Sequence, residues 1–395
     1  MKNTFLLLTL LAFSCTLTPE ENIVEDILSP AKTNSSEPSF FKISDSQVGI
    51  SWVESIDDTA ILKYAIYEDR NWSDPKIVTQ GDDWFVNWAD FPGIVVSSRS
   101  NWLAWFLQQS DTATYAYDVM ITQSIDKGNS WSTPKKLHND STLTEHGFVS
   151  VVPADDGFRM IWLDGRNTGG GHGHGGGGAM SLRSAYVDFG GVISDRSLLD
   201  DRICDCCQTS LVSWEGENFT AFYRDRSGEE IRDIGYVKLN DNGTQTKPKI
   251  IHPDEWHIAG CPVNGPRAAT INDKLGVTWY TMGTDEQAKV LFATSDDGGE
   301  TYSTPLLIDQ GSLGRVDILA TNGVFYISYL DKLENGSEIK IAEIRDNKII
   351  ATHKIVQVSS SRKTGFPRMA LLHDGILIAY TDIEIDKMSL KFLSF

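Results

Sequence analysis

Ser124–Pro134 reads SIDKGNSWSTP, and Ser295–Pro305 reads SDDGGETYSTP. Both carry a serine, an aspartate two residues on, a glycine, a hydroxyl residue, an aromatic and a closing Ser-Thr-Pro. Asp126 and Asp297 are placed to accept backbone N–H groups inside a tight turn. The glycines allow positive φ, and Trp131 or Tyr302 packs beneath. Each copy follows an alternating apolar stretch, YAYDVMITQS or AKVLFATSDD, and the second leads into the short run TPLLIDQ. Period-two alternation bounded by turn residues marks strands. The motif is therefore expected in the turn between the third and fourth strands of a repeated antiparallel unit.

Working outward from these turns, a β-rich run ending in an aromatic occurs seven times, at Trp52, Trp105, Trp162, Phe222, Trp279, Tyr329 and Tyr380, with separations between 50 and 60 residues. Each aromatic follows another apolar run, often opened by Pro or Gly, as in DFPGIVVSS, GPRAATI and GFPRMALL. Four short antiparallel strands per repeat of about 40 to 50 residues are the signature of propeller blades. The expected fold is all-β, a single propeller of four-stranded antiparallel blades, seven rather than six. The last unit, from about Gly365, has only three strands before Phe395. Residues 22–29, NIVEDILS, supply the fourth and close the ring, since an open seam would leave an aggregation-prone edge.

The 395 residues carry 54 acidic and 35 basic groups, a formal charge of −19, which speaks against nucleic acid or an anionic membrane surface as partner. Lys2, the largely apolar run Phe5–Phe13 and small Ser14 before Cys15 read as a signal peptide over 1–15. The run is too short to span a bilayer. Residues 16–36 are then tether and ring-closing strand, and 37–395 the propeller. The four remaining cysteines, Cys204, Cys206, Cys207 and Cys261, allow three complete pairings in an oxidising compartment.

Chemically unusual segments fall on one face. Connections between blades and connections from second to third strands share that face. WFVNWADFP, LTEHGF, RICDCCQTS, WHIAGCPVNGPR, LGRVD and KTGFPR are of the first kind, and TYAYD, WLDGRNTGGGHGHGGGGAM and YRDRSGEEIRD of the second. Arg267, Arg315 and Arg368 are read as matching positions of blades five to seven, a cluster suited to a carboxylate, phosphate or sulfate. Arg224, Asp164 and Arg166 are further ligand candidates on the same loops. Local pairing, for example with Asp317, is the bland alternative. CDCCQTS and AGCPVNGPR begin consecutive blades, so Cys261 reaches Cys204, Cys206 or Cys207, giving either an inter-blade disulfide or a soft-metal site for copper or zinc. His172 and His174, in a glycine tract before Met180, are candidate metal ligands or part of a tether.

The two Ser-x-Asp turns resemble the Asp-box repeats of sialidases and of many non-enzymatic propellers. The strings FVNWADFP, TYAYDV, TEHGFVS, WLDGR, CDCCQT, GCPVNGPR and GFPRM, in order along the body, resemble exported bacterial sialidase-like propellers. Cys15 resembles the acylated cysteine of bacterial lipoproteins. The resemblance implies export with a lipid anchor in the cell envelope, at the periplasm or the cell surface. It also implies an anionic glycan or small anionic ligand and, for an enzyme, glycoside hydrolysis of the sialidase type. On that pattern Tyr280 would be nucleophile, Glu230 its partner and Asp90 the acid. The sequence departs from sialidases in two places. SFFKIS stands around Phe40 instead of Phe-Arg-Ile-Pro, and seven units replace six. A copper- or zinc-handling propeller and a non-catalytic interaction scaffold remain the other readings.

Overall fold

The computed structural model describes residues 23–169, 178–214, 218–240 and 244–395. The leader with Cys15, and His172 and His174, lie outside the described residues. Seven antiparallel sheets follow one another along the chain, each with an inner-to-outer path of four strands. Their second strands, Val48–Ile56, Trp102–Gln109, Gly157–Asp164, Asn218–Arg224, Lys274–Thr281, Val324–Lys332 and Gly375–Asp382, carry the seven recurrent aromatics. The seventh sheet takes its outer strand from the other end of the chain. Val24–Ile27 pairs antiparallel with Lys387–Ser394, Val24 opposite Leu393 and Ile27 opposite Leu390. The seven blades and the ring-closing strand expected from the repeat are therefore present.

Alternation explains the packing. Side chains on successive strand positions point to opposite faces, and each face meets a neighbouring blade. Trp52, Trp162, Trp279, Tyr329 and Tyr380 share buried clusters with the preceding blade, whereas Trp105 and Phe222 share theirs with the following one. Trp52, Trp162 and Trp279 are essentially inaccessible to solvent. At about 25 cal/mol per Å² of apolar area, each such side chain stabilises its interface by a few kcal/mol.

Both Asp-box turns form as expected, after Tyr117–Ser124 and after Lys289–Ser295. Asp126 accepts from Ser130 N (2.8 Å) and Ser130 Oγ (2.7 Å), and Ser124 Oγ accepts from Gly128 N at 2.8 Å. Asp297 makes the same bonds to Thr301, at 2.9 and 2.6 Å. Hydrogen bonds from Ser130 hold the Asp126 carboxyl down at about 2.

Three inner strands break register at equivalent places, between Ser36 and Ser39, Gly147 and Ser150, and Gly314 and Asp317. The bulged residues Glu37, Phe148 and Arg315 all have positive φ, at 60°, 53° and 55°. Non-glycine residues in this region are held there by surrounding structure. Phe148 N is bonded to Asp90 Oδ1 (2.7 Å) and Arg315 N to Asn264 Oδ1 (2.7 Å).

Candidate functional site

Register decides which side chains share a level on the axis. Arg267 lies opposite Thr278 and Arg368 opposite Ala379, each one residue before its blade's aromatic. In blade 6 that place belongs to Asp317, opposite Ser328. Arg315, two residues earlier in the bulge, is not the equivalent of the other two arginines, which corrects the sequence alignment of the three. The axis carries Arg267, Asp317 and Arg368 side by side.

Asp317 Oδ1 accepts from Arg267 Nε at 3.0 Å and lies 3.5 Å from Arg368 Nη1, while Oδ2 accepts from Met369 N at 2.9 Å. One carboxylate thus faces two guanidiniums. The Arg368 guanidinium lies over the rings of Phe91 and Phe366, at 4.8 and 5.8 Å, is 6 % exposed, and leaves Nη1 without a hydrogen-bond partner. Burial, then the like charge of Arg267, lowers its basicity, with Asp317 opposing. These groups line an axial cavity of about 600 Å³, together with Asp90, Gln208, Ser150 and Ser97.

The connection between blades 1 and 2 crosses the axis as a roof. Gln208 Nε2 donates to Ala89 O at 2.7 Å, Trp88 stacks on Phe366 at 5.9 Å, and the Arg315 guanidinium lies 5.2 Å over Trp88. Arg315 Nη1 also donates to Ser361 O and Gly365 O. Its charge is spent on holding the roof.

Among the described residues, no hydrogen bond or ion pair joins Asp90, Glu230 and Tyr280 to one another. Glu230 belongs to an arginine network, bonded to Arg226 (2.8 Å) and Arg232 (2.7 Å), and its carboxyl is drawn down to about 2 chiefly by Arg226. Tyr280 packs edge-on against Trp256, and burial raises its hydroxyl pKa. Asp90 meets Tyr117, whose hydroxyl oxygen lies 3.0 Å from Asp90 Oδ2 and 2.7 Å from Glu145 Oε1. All three are buried. Burial raises Asp90 to about 7 and Glu145 well above the ordinary range, and Glu37, buried close enough to feel Asp90's charge, is raised to about 8. Tyr117 escaped the sequence reading, although TYAYD and LTEHGF, which supply Tyr117 and Glu145, both stood out as connections on this face.

Arg224 is a clamp. Its guanidinium donates to Asn264 O (2.9 and 2.8 Å), Arg232 O (2.6 Å) and Tyr280 O (2.6 Å), tying blade 4 to blade 5. Asp164 and Arg166 form a bidentate pair at 2.7 and 2.8 Å. They border a bracket between blades 2 and 3 in which His138 and His146 stack 3.7 Å apart with planes 5° from parallel. Asp118 and Asp140 flank the rings, at 3.1 Å from His138 Nε2 and 2.8 Å from His138 Nδ1. Asp118, His138 and His146, or Asp140, His146 and Asp164, come close enough to hold an ion. Parallel stacked imidazoles, however, cannot aim both in-plane lone pairs at one point, which speaks against the first set, and in the second Arg166 already pairs with both carboxylates. The bracket is a paired charge network, and hydrogen bonds from His146 and Thr142, overcoming burial, hold Asp140 well below the ordinary carboxylate range.

The cysteines do converge. Ligand atoms of Cys204, Cys206 and Cys207 lie within 4.8 Å of one another, and Cys204 Sγ is 3.3 Å from Cys207 Sγ. Cys261, from the next connection, lies within hydrogen-bonding reach of Cys206. None of the four is drawn into a disulfide in this structure. Arg232 Nη1 lies 3.2 Å from Cys204 Sγ. Against the effect of burial, hydrogen bonds from Cys206 and Cys207 and the charge of Arg232 draw the Cys204 thiol well down, while burial pushes Cys206 and Cys207 up.

Several solved structures align with this chain. A protein of unknown function from Dyadobacter fermentans aligns over 94% of this chain and 98% of its own, with 11% identity and a TM-score of 0.55. A Hadza microbial sialidase aligns over 84% of this chain and 72% of its own, at 12% identity and TM-score 0.48. Trypanosoma rangeli sialidase with sialic acid aligns over 77% and 53%, at 14% and 0.45. No curated protein matches. The BNR repeat-like domain matches residues 51–375, spanning the second strand of blade 1 to that of blade 7, and the chain therefore belongs to the BNR repeat-like family.

Proposed function

We propose that this propeller binds a small anionic ligand, a carboxylated or sulfated carbohydrate, in its axial cavity, with Arg267 and Arg368 holding the anion. The observation that carries the reading is the two-to-one ratio of guanidinium to carboxylate at Asp317, with the buried Arg368 Nη1 held only by the 3.5 Å ion pair to that shared carboxylate. A buried, incompletely paired cation is costly, and an anion presenting two oxygens relieves that cost with charge-assisted bonds. Asp90, raised to about 7, is about half protonated at neutrality and largely so below it, which reduces its opposing charge. The likeness to sialidases makes sugar acids the first ligands to try. The reading is of recognition first: Tyr117, the tyrosine held between two carboxylates, is fully buried. Export on a lipid anchor at Cys15 belongs to the same proposal and is tested by palmitate labelling of wild type against Cys15→Ser.

Calorimetric titration with N-acetylneuraminate, glucuronate and a sulfated sugar, beside their neutral counterparts, tests the site. Binding of an acidic sugar should weaken about 10- to 100-fold in Arg368→Met, the loss of one charge-assisted bond. Equal binding of neutral sugars, or an unchanged Arg368→Met, rejects it. Release of the aglycone from an α-sialoside would make the chain an enzyme instead.

A further inference from the structure

The four cysteines are not among the residues that line the axial cavity, and no part of the anion reading uses them. We infer that Cys204, Cys206 and Cys207, with Cys261 at the rim, form a binding site for a soft monovalent ion, copper(I).

Three observations carry this. First, the chain folds so that three sulfurs from four consecutive residues face one another instead of dispersing. Their ligand atoms fall within 4.8 Å of one another, the span of sulfurs that each sit ~2.3 Å from a common ion, a typical metal–thiolate length. Second, the grouped ligands are all sulfur. Neither a histidine nor a carboxylate completes the group among the described residues, and an all-thiolate set of low coordination number selects copper(I) over harder ions. Third, the anionic charge that such a complex gains is already met. Arg232, fully buried, places Nη1 3.2 Å from Cys204 Sγ and leaves Nε without a partner. Cys204 N is fixed by Arg224 O at 3.0 Å, which sets the turn that gathers the sulfurs. Cys204 and Cys207 are buried, while Cys206 and Cys261 are half-exposed, so an ion can arrive from the surface through these two and settle among the others.

The chemistry is a ligand exchange. The ion arrives as copper(I) from a donor thiolate or soluble chelate and stays copper(I). Each sulfur that binds it releases its proton to solvent, and no electron is transferred.

The test uses the exported chain, reduced and handled without oxygen, with copper(I) offered as its bicinchoninate complex. The expected result is one copper withdrawn per chain, with an ultraviolet thiolate-to-copper charge-transfer band. Cys204→Ser and Cys207→Ser should abolish both signals. Cys261→Ser, a rim change with little demand on folding, should retain the ion more weakly, and Arg232→Gln should weaken retention about 10- to 100-fold, as loss of an outer partner does. Unchanged circular dichroism in Cys261→Ser separates lost ligation from lost fold. Retention of zinc but not copper, copper held equally by the Cys204→Ser and Cys207→Ser variants, or a Cys204–Cys207 disulfide whose reduced form takes up no copper each overturns the assignment.

Discussion

Glu37 and Asp90 show what a buried acid does to the whole chain. Both are fully enclosed, and burial raises them from the ordinary range to about 8 and about 7. The unfolded chain releases these protons near pH 4, whereas the native chain holds them until pH 7 to 8. Across that window the native state binds more protons, so stability falls as pH rises and levels off above the folded pKa values. A rise of about three units corresponds to about 4 kcal/mol for one such group. Denaturant unfolding at pH 5, 7 and 9 should show wild type losing stability throughout. Glu37→Gln, which keeps the shape and removes the titration, should show a shallower decline. Parallel curves for the two proteins would mean that Glu37 is not neutral in the native state.

At the scale of the element, the Asp-box turn rests on an aromatic floor. Gly128 has φ of 80°, and a Cβ there would run into the Tyr64 hydroxyl and the Trp102 ring. Tyr64 also donates to Gly128 O at 2.9 Å. Gly128→Ala should therefore cost about 2–3 kcal/mol, backbone strain plus displaced rings. Gly323, with φ of 76° and nothing near its would-be Cβ, isolates the backbone part, so Gly323→Ala should cost about 1–2 kcal/mol. Equal melting temperatures for the two variants would remove the floor from the argument. These turns were legible in the sequence because their hydrogen bonds are local, and the blades because alternation repeats on a fixed period. Bulges are not legible in this way. The register shift between Gly314 and Asp317 slides Arg315 out of the place that spacing assigns it and leaves Asp317 between Arg267 and Arg368. Tyr117, Asp90 and Glu145 come together only through two separate connections, so no local pattern joins them. The cysteines were legible as a group because they are dense in sequence.

At the scale of the molecule, each blade packs on two neighbours, and the ring is held shut by one short strand. Val24–Ile27 covers the edge Lys387–Ser394, Ile27 enters the clusters between blades 7 and 1, and Ser394 N donates to Ile23 O at 3.0 Å. The inner elements need this closure as much as the edge does: Glu37 N meets Thr381 Oγ1 across the same seam, and Ser35 Oγ accepts from Met388 N at 3.0 Å. Removing residues 23–28 leaves blade 7 with three strands and an unpaired edge beside Leu390 and Phe392. Four residues lose their ladder partners, at about 1 kcal/mol per hydrogen bond, so a loss of roughly 3–5 kcal/mol is expected from pairing and packing together. The bare edge should also recruit other copies, since unpaired strands template pairing. Light scattering after size exclusion should show the truncated chain as concentration-dependent oligomers. A synthetic peptide of the sequence NIVEDILS should return it to monomer and raise its melting temperature, while a scrambled peptide should not. A truncated chain that stays monomeric with an unaltered melting temperature would show that the contacts at Ser35 and Glu37 close the ring without the strand.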